Sequence, residues 1–284
     1  MKILLAGAAG AIGRLLLPLL VQAGHEVTGT TRSPDRQPMI ADLGGRPAVL
    51  DALDRQTVFA VMQAAQPDIL IHQLTDLATR DFAANSRLRV DGSRNLVDAA
   101  QSVGVHRMIA QSISWVCVPG AGLSTEDDPL DLNAAAPRAG TVAAVQALEQ
   151  ATTELLVGVV LRYGLLYGPG TWYTREGLTS DQIRRGEIKA SDAVSSFVHV
   201  ADAAQAAFEA LQWPSGIYNI VDDAPAKASE WVPFYARLIG APEPEPSSGA
   251  QAWERGASNA KARAVGWTPR YPDWREGFTS ELTS

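Results

Sequence analysis

The stretch Ile3-Leu4-Leu5-Ala6-Gly7-Ala8-Ala9-Gly10-Ala11-Ile12-Gly13-Arg14-Leu15-Leu16 decides the fold. Four apolar residues, Ile3 to Ala6, run into Gly7 and stop. Beyond the loop, Ile12, Leu15, Leu16, Leu19 and Leu20 recur at three- and four-residue steps, the spacing of one helix face. The reading is strand, tight turn, helix. Glycines at such a junction let backbone amides approach a pyrophosphate at a helix N-terminus, where unpaired N–H groups and the helix dipole favour an anion. Gly7, Gly10 and Gly13 are therefore candidate nucleotide-binding residues, and the competing reading is a plain small-residue turn.

Outward from this unit the pattern repeats. Gly24 ends the first helix, and Glu26–Thr31 reads as a second strand because β-branched residues alternate there. Further short strands are predicted at Pro47–Leu50 and Asp68–His72, with a helix over 55–65 between them. A long helix over 78–102, a strand at Arg107–Gln111, a helix over 138–154 and a strand at Val157–Arg162 follow. Strands alternating with helices imply a parallel sheet with right-handed crossovers, so an α/β, Rossmann-type doubly wound parallel sheet is expected. Residues 167–198 loosen into Gly, Ser and aromatics, and Pro242 to Gly249 is stiff and solvated. The expected division is a dinucleotide-binding domain of residues 1–165 plus 195–222, and a small, sequence-interleaved C-terminal substrate cap of residues 166–194 plus 223–284.

Composition narrows the function classes. The chain of 284 residues carries 24 Lys plus Arg against 31 Asp plus Glu, a net charge of −7. An acidic surface without a basic stripe argues against nucleic acid as a partner. With 46% hydrophobic and 19% charged residues, a full core is expected. The one cysteine, Cys117, forms no internal disulfide, which points to a reducing, cytoplasmic setting. Four scattered histidines and one cysteine show no metal-ligand spacing. The apolar run at the start ends after four residues, so no export signal or membrane anchor is expected.

The Gly-x-x-Gly-x-x-Gly loop is joined by Leu50-Asp51, Pro67-Asp68-Ile69-Leu70-Ile71-His72, Gly92 to Ala100, Leu161 to Gly170, Phe197-Val198-His199-Val200-Ala201-Asp202-Ala203, Ser258 to Arg263 and Gly266-Trp267-Thr268-Pro269. In this order they resemble an extended short-chain dehydrogenase/reductase of the NAD-dependent epimerase/dehydratase family. The resemblance implies cofactor contacts at Gly7, Gly10, Ala11, Ile12, Gly13, Ala52, Leu74, Thr75, Tyr163 and Leu165, with Asp51 facing the adenine amino group. Asp51 also suits a helix cap or turn. At the end of the second strand, Thr30-Thr31-Arg32-Ser33 offers no carboxylate for ribose hydroxyls. Arg32 and Arg36 offer planar donors suited to a 2′-phosphate, so NADP is favoured over NAD; the competing reading makes Arg32 a solvated surface residue. The resemblance also implies a homodimer through the helices near 78–102 and 138–154.

Redox members of that family carry a Tyr-x-x-x-Lys pair on the helix after the fifth strand, the Lys lowering the phenol pKa for proton transfer. Aligned on Glu149, this chain has Thr141 and Val145 at those positions, and no Tyr-x-x-x-Lys occurs anywhere in it. Replacement candidates are Ser112 and Ser114 on the fifth strand, which could equally bond backbone, and Tyr167 and Tyr173 in the aromatic-rich segment, which could equally be packing residues. Thr141 itself remains a candidate contact. Arg87, Arg89 and Asn85 would reach an anionic substrate only if turned inward. His72 and His199 read as core or turn histidines. Three functions stay open: an NADP(H)-dependent oxidoreductase or epimerase/dehydratase-like enzyme on a small organic substrate, an NADP-sensing binding protein without catalysis, and a non-redox lyase or cyclase using the same pocket.

Overall fold

In the computed structural model, residues 1–77 and 81–283 are described. Residues 78–80, where the long helix is predicted to begin, lie outside them. The chain runs β1 (Lys2–Ala6), α1 (Gly13–Gln22), β2 (Glu26–Thr31), a 3-10 turn (Pro34–Arg36), α2 (Gln37–Asp42), β3 (Arg46–Val49), α3 (Arg55–Ala65), β4 (Ile69–His72) and α4 (Phe82–Arg87). A π turn (Leu88–Gly92) leads into α5 (Ser93–Ser102), β5 (Arg107–Ile113), α6 (Arg138–Thr153), β6 (Val157–Tyr163), β7 (Leu165–Tyr167), α7 (Leu178–Arg184), β8 (Val194–Ser195) and β9 (Phe197–His199). The last elements are α8 (Val200–Glu209), β10 (Gly216–Ile220), β11 (Ala226–Lys227), α9 (Ala228–Ile239), α10 (Ala260–Ala264) and α11 (Trp274–Thr283).

Seven strands form the central sheet in the order β10-β6-β5-β4-β1-β2-β3. Parallel register aligns Ala6 with Thr30 on one side and with His72 on the other, and His72 with Ala110. The apolar runs are uninterrupted because central parallel strands are covered on both faces: all four residues of β4 are buried, as are Ile3 to Ala6. On one face Leu4, Ala6, Leu70, Met108 and Ala110 pack against Val58, Met62, Leu96, Val97, Ala100 and Leu148 of α3, α5 and α6. Each fully buried Leu in that layer contributes about 2 kcal/mol. Local signals set the helix starts, as where Asp54 Oδ1 accepts from the amides of Gln56 and Thr57 at the head of α3.

The chain resolves into two compact units, Met1–Ser112 with Leu130–Leu161 and Ala204–Ile217, and Ile113–Pro129 with Arg162–Ala203 and Tyr218–Ser284. The second has its own core, in which Tyr167, Ile183, Phe197, Trp231, Val232, Tyr235, Trp274 and Phe278 are buried. One expectation is corrected here. Of the two stretches expected to add strands to the main sheet, near Ser195–Asp202 and Gly216–Val221, only the second does so, as β10. Phe197–His199 pairs with β7 in a separate two-stranded sheet, and the chain turns helical at Val200, where Ala residues replace the β-branched run.

Candidate active site

The first unit carries the glycine cradle. Gly7 adopts φ +95°, and a Cβ there would lie 2.8 Å from Gln73 O in the segment after β4. At Gly13 a Cβ would lie 2.1 Å from Gly7 O, so only glycine lets α1 start this close to the loop. The Gly10 amide donates to Gly7 O at 3.0 Å and closes the turn. No side chain caps the first turn of α1 and no acid lies in it, so the positive end of its dipole meets no carboxylate of its own, while the Arg14 and Leu15 amides already donate to Gly10 O at 3.1 Å and Ile12 O at 3.0 Å. Close backbone approach and a positive helix end fit a dinucleotide pyrophosphate.

Around this cradle the expected contacts fall at the carboxyl ends of the strands. Ile12 and Gly13 are buried, Ala11 is half-buried, Leu74 is half-buried and Thr75 is exposed. Asp51 Oδ1 accepts from the Leu53 amide at 2.9 Å, the turn role that competed with adenine recognition. Ala52 is buried, its carbonyl accepting from Asn95 Nδ2 at 2.9 Å. Arg36 is exposed in the 3-10 turn. Arg32 is no free surface cation: it forms a two-bond ion pair with Asp76 at 3.0 and 3.1 Å, which holds its guanidinium above its ordinary pKa.

Still within the first unit, a buried polar cluster gathers at the carboxyl ends of β4 and β5. Ser112 Oγ donates to Glu149 Oε1 at 2.8 Å, with both residues buried. Glu149 was only an alignment anchor in the sequence; a separation of 37 residues gives no pattern that pairs it with Ser112. The π turn buries Leu88, Arg89 and Gly92. Arg89 is 6% exposed, and burial pulls its guanidinium down to about 10 against the opposing pull of Glu149. Arg87 instead faces outward in a 3.7 Å pair with Asp91. Asn85 is buried and accepts from the Asp76 amide. His72 Nδ1 accepts from the Leu74 amide at 3.2 Å, which leaves Nε2 as the donor to Ser93 Oγ at 3.1 Å. Burial, then the Arg89 charge, lowers its pKa to about 4, so it is a neutral core histidine. On α6 Thr141 is half-buried, and Val145 and Glu149 are buried one and two turns on.

In the second unit, Ser114 is buried and its amide donates to Tyr163 O at 2.9 Å. Tyr163 Oη donates to Ala203 O at 3.3 Å, and the Leu165 amide donates to Ser196 O at 2.8 Å. The expected phenols are corrected. Tyr167 is fully buried against Phe197, Phe278 and the His199 ring, and burial raises its pKa far above the ordinary value. Tyr173 packs edge-on to Phe197 and Tyr235, with its pKa also pushed up by burial. Both serve the apolar core of the second unit, and a phenol held neutral this strongly is a poor proton relay. His199 is likewise structural, with Nε2 3.0 Å from Glu281 and Nδ1 accepting from the Ala201 amide. Asp202 accepts from the Arg270 and Tyr271 amides at 2.8 and 3.0 Å, tying the C-terminal segment to α8. Asp222, which no sequence motif marked, accepts from the Ala224 amide at 3.3 Å, and burial outweighs that bond and pushes its carboxyl up to about 8. Cys117 is buried, with Arg162 Nη1 donating to its sulfur at 3.6 Å. Among the described residues no group of three or more His, Cys, Asp or Glu is placed to hold a metal, and no helix is long and apolar enough to cross a membrane.

Comparison with known proteins places the fold and the family. A 3-diazoavenalumate denitrifying reductase of Streptomyces sp is 42% identical over 99% of this chain and 100% of its own length. A 2-alkyl-3-oxoalkanoate reductase of Stenotrophomonas maltophilia is 29% identical over 85% of this chain and 77% of its own. The structure of Thermus thermophilus UDP-glucose 4-epimerase in complex with NAD superposes with a TM-score of 0.79 at 23% identity, covering 99% of this chain and 98% of that one. The chain is thus an enzyme of oxidoreductase or epimerase type. Residues 3–221 match the model of the NAD dependent epimerase/dehydratase family, and the chain belongs to that family.

Proposed function

We propose that the chain is an NADP-preferring reductase whose substrate accepts hydride without taking a proton from the protein in the same step. The observation that carries this reading is the 42% identity, across nearly all of both chains, with a denitrifying reductase of a diazo compound. A bound reduced nicotinamide would supply the hydride. Hydride arriving at the terminal nitrogen of an aryl diazonium forms an N–H bond and gives an aryl diazene; loss of N2 then breaks the C–N and N–H bonds, and the ring carbon gains a hydrogen in exchange for the one the nitrogen gives up. Two electrons and one hydrogen enter, N2 leaves, and no proton is consumed.

Such chemistry asks the protein to bind, orient and exclude water, and it dispenses with a general acid. Thr141 and Val145, standing where the family's proton donor and its ammonium partner stand, suit that demand. Ser112 already donates its proton to Glu149, so its hydroxyl has only acceptor capacity left. In this reading Gly7, Gly10, Ala11, Ile12 and Gly13 hold the diphosphate. Asp51, Ala52, Leu74 and Thr75 border the adenosine, and Arg32 and Arg36 meet the 2′-phosphate. The reading carries with it a cytoplasmic homodimer through the helices near 78–102 and 138–154.

The test is an anaerobic acceptor panel with purified protein and NADPH deuterated at the reactive C4 position. The expected result is NADPH oxidation with an aromatic diazo acid, slowed by the C4 deuterium, and N2 released one for one. Faster turnover of 3-oxoacids or enones would replace the reading with carbonyl or double-bond reduction. Unequal binding of NADP and NADPH with no acceptor reduced would replace it with the sensing role.

A further inference from the structure

The Arg32–Asp76 pair spans the place where the cradle begins. β1 lies between β2 and β4 in the sheet, and the glycine loop leaves its carboxyl end. Arg32 stands one residue past β2, and Asp76 four residues past β4. Their side chains meet across the end of β1 in two N–H···O bonds, Nη1 to Oδ2 at 3.0 Å and Nη2 to Oδ1 at 3.1 Å. Fork-to-fork geometry of this kind is the strong form of an Arg–carboxylate bond. Asp76 is also placed from behind, since its amide donates to Oδ1 of the buried Asn85 at 2.9 Å. Arg32 is the more exposed partner, at 51% against 20% for Asp76. The carboxylate missing from the end of β2 therefore arrives from the β4 side, on the same guanidinium a 2′-phosphate would need.

We propose that Asp76 is a specificity-determining residue, which competes with the cofactor's 2′-phosphate for Arg32 and so restrains the preference for NADP over NAD. The proposal rests on the dinucleotide reading above. A phosphate that takes Arg32 must displace Asp76 and then lie beside its negative charge. A ribose hydroxyl leaves the pair intact and can donate to the Asp76 carboxylate. Arg36 carries no ion pair among the described residues and stays available as a second cation to either arrangement.

The experiment is calorimetric titration of the full chain with NADP and with NAD, for the wild type, Asp76→Asn, Asp76→Glu, Arg32→Gln and the Asp76→Asn/Arg32→Gln double variant. D76N is expected to bind NADP about tenfold more tightly, the size of one strong hydrogen bond, with NAD affinity unchanged or reduced. D76E keeps the carboxylate and is expected to hold the wild-type ratio within about threefold. In the double variant the gain from D76N should vanish, because the group competed for is gone. If R32Q weakens NADP while D76N leaves the NADP-to-NAD ratio unchanged, the competition is refuted and the cofactor reading survives. If R32Q leaves that ratio unchanged, Arg32 does not meet the 2′-phosphate, and both fall. Retained NAD binding identifies the variants that fold.

Discussion

At the scale of single residues, the cradle is decided by what glycine lacks. A Cβ on Gly13 would sit 2.1 Å from Gly7 O, whereas one on Gly10 would sit 3.2 Å from the same atom. Gly13→Ala is therefore expected to destabilise the chain by about 1–3 kcal/mol and to abolish the thermal shift on adding NADPH, with Gly10→Ala far milder. Melting curves with and without cofactor check the pair. Ser112→Ala removes one donor from the buried Glu149 carboxylate and should cost about 1–3 kcal/mol in stability. Thr141→Val, by contrast, should change kcat by less than about threefold, because a step that consumes no proton loses nothing with a hydroxyl. A large fall in kcat with unchanged KM would assign Thr141 a proton. The glycines were legible in the sequence because their role is local. Asp76 was not, because its partner lies 44 residues away and on another strand's loop.

The elements show how buried charge is handled. The long helix predicted after β4 is present over its described part as α4, the π turn and α5, but the extra residue in that turn aims Arg89 into the protein, which no 3.6-residue periodicity foretells. Beside it, the carboxyl end of β4 carries His72, held neutral with a pKa near 4 against 6.5 in the unfolded chain. A histidine with a lowered folded pKa stabilises the fold above pH 6.5, and this contribution is lost as pH falls from 6.5 toward 4. The loss is up to about 3 kcal/mol. Urea melts between pH 7 and 4 should show this slope, and His72→Gln should flatten it. A wild-type curve already flat across that window would contradict the assignment.

For the whole molecule, the second unit carries the opposite charge problem. Asp222 titrates near 8 when folded and near 3.8 when unfolded, so its contribution is fully present below pH 3.8 and is lost as pH rises through 8. Asp222→Asn should therefore raise stability at pH 8 on the order of 2 kcal/mol and do little at pH 4. Thermal melts at the two pH values read this directly, and equal effects at both would exclude a titrating Asp222. What the sequence determined by itself was whatever repeats or contacts within a few residues: the alternation of strands and helices, the glycine turn at the head of α1, and the absence of a Tyr-x-x-x-Lys pair. Those features follow from backbone sterics and periodic burial, which act over one or two turns of chain. Tertiary structure decided the pairings between distant residues: Ser112 with Glu149, Arg32 with Asp76, and Tyr167 and Tyr173 committed to an apolar core. Those depend on which loops the sheet order sets side by side, and the order β4-β1-β2 is a property of the closed fold that no local stretch encodes.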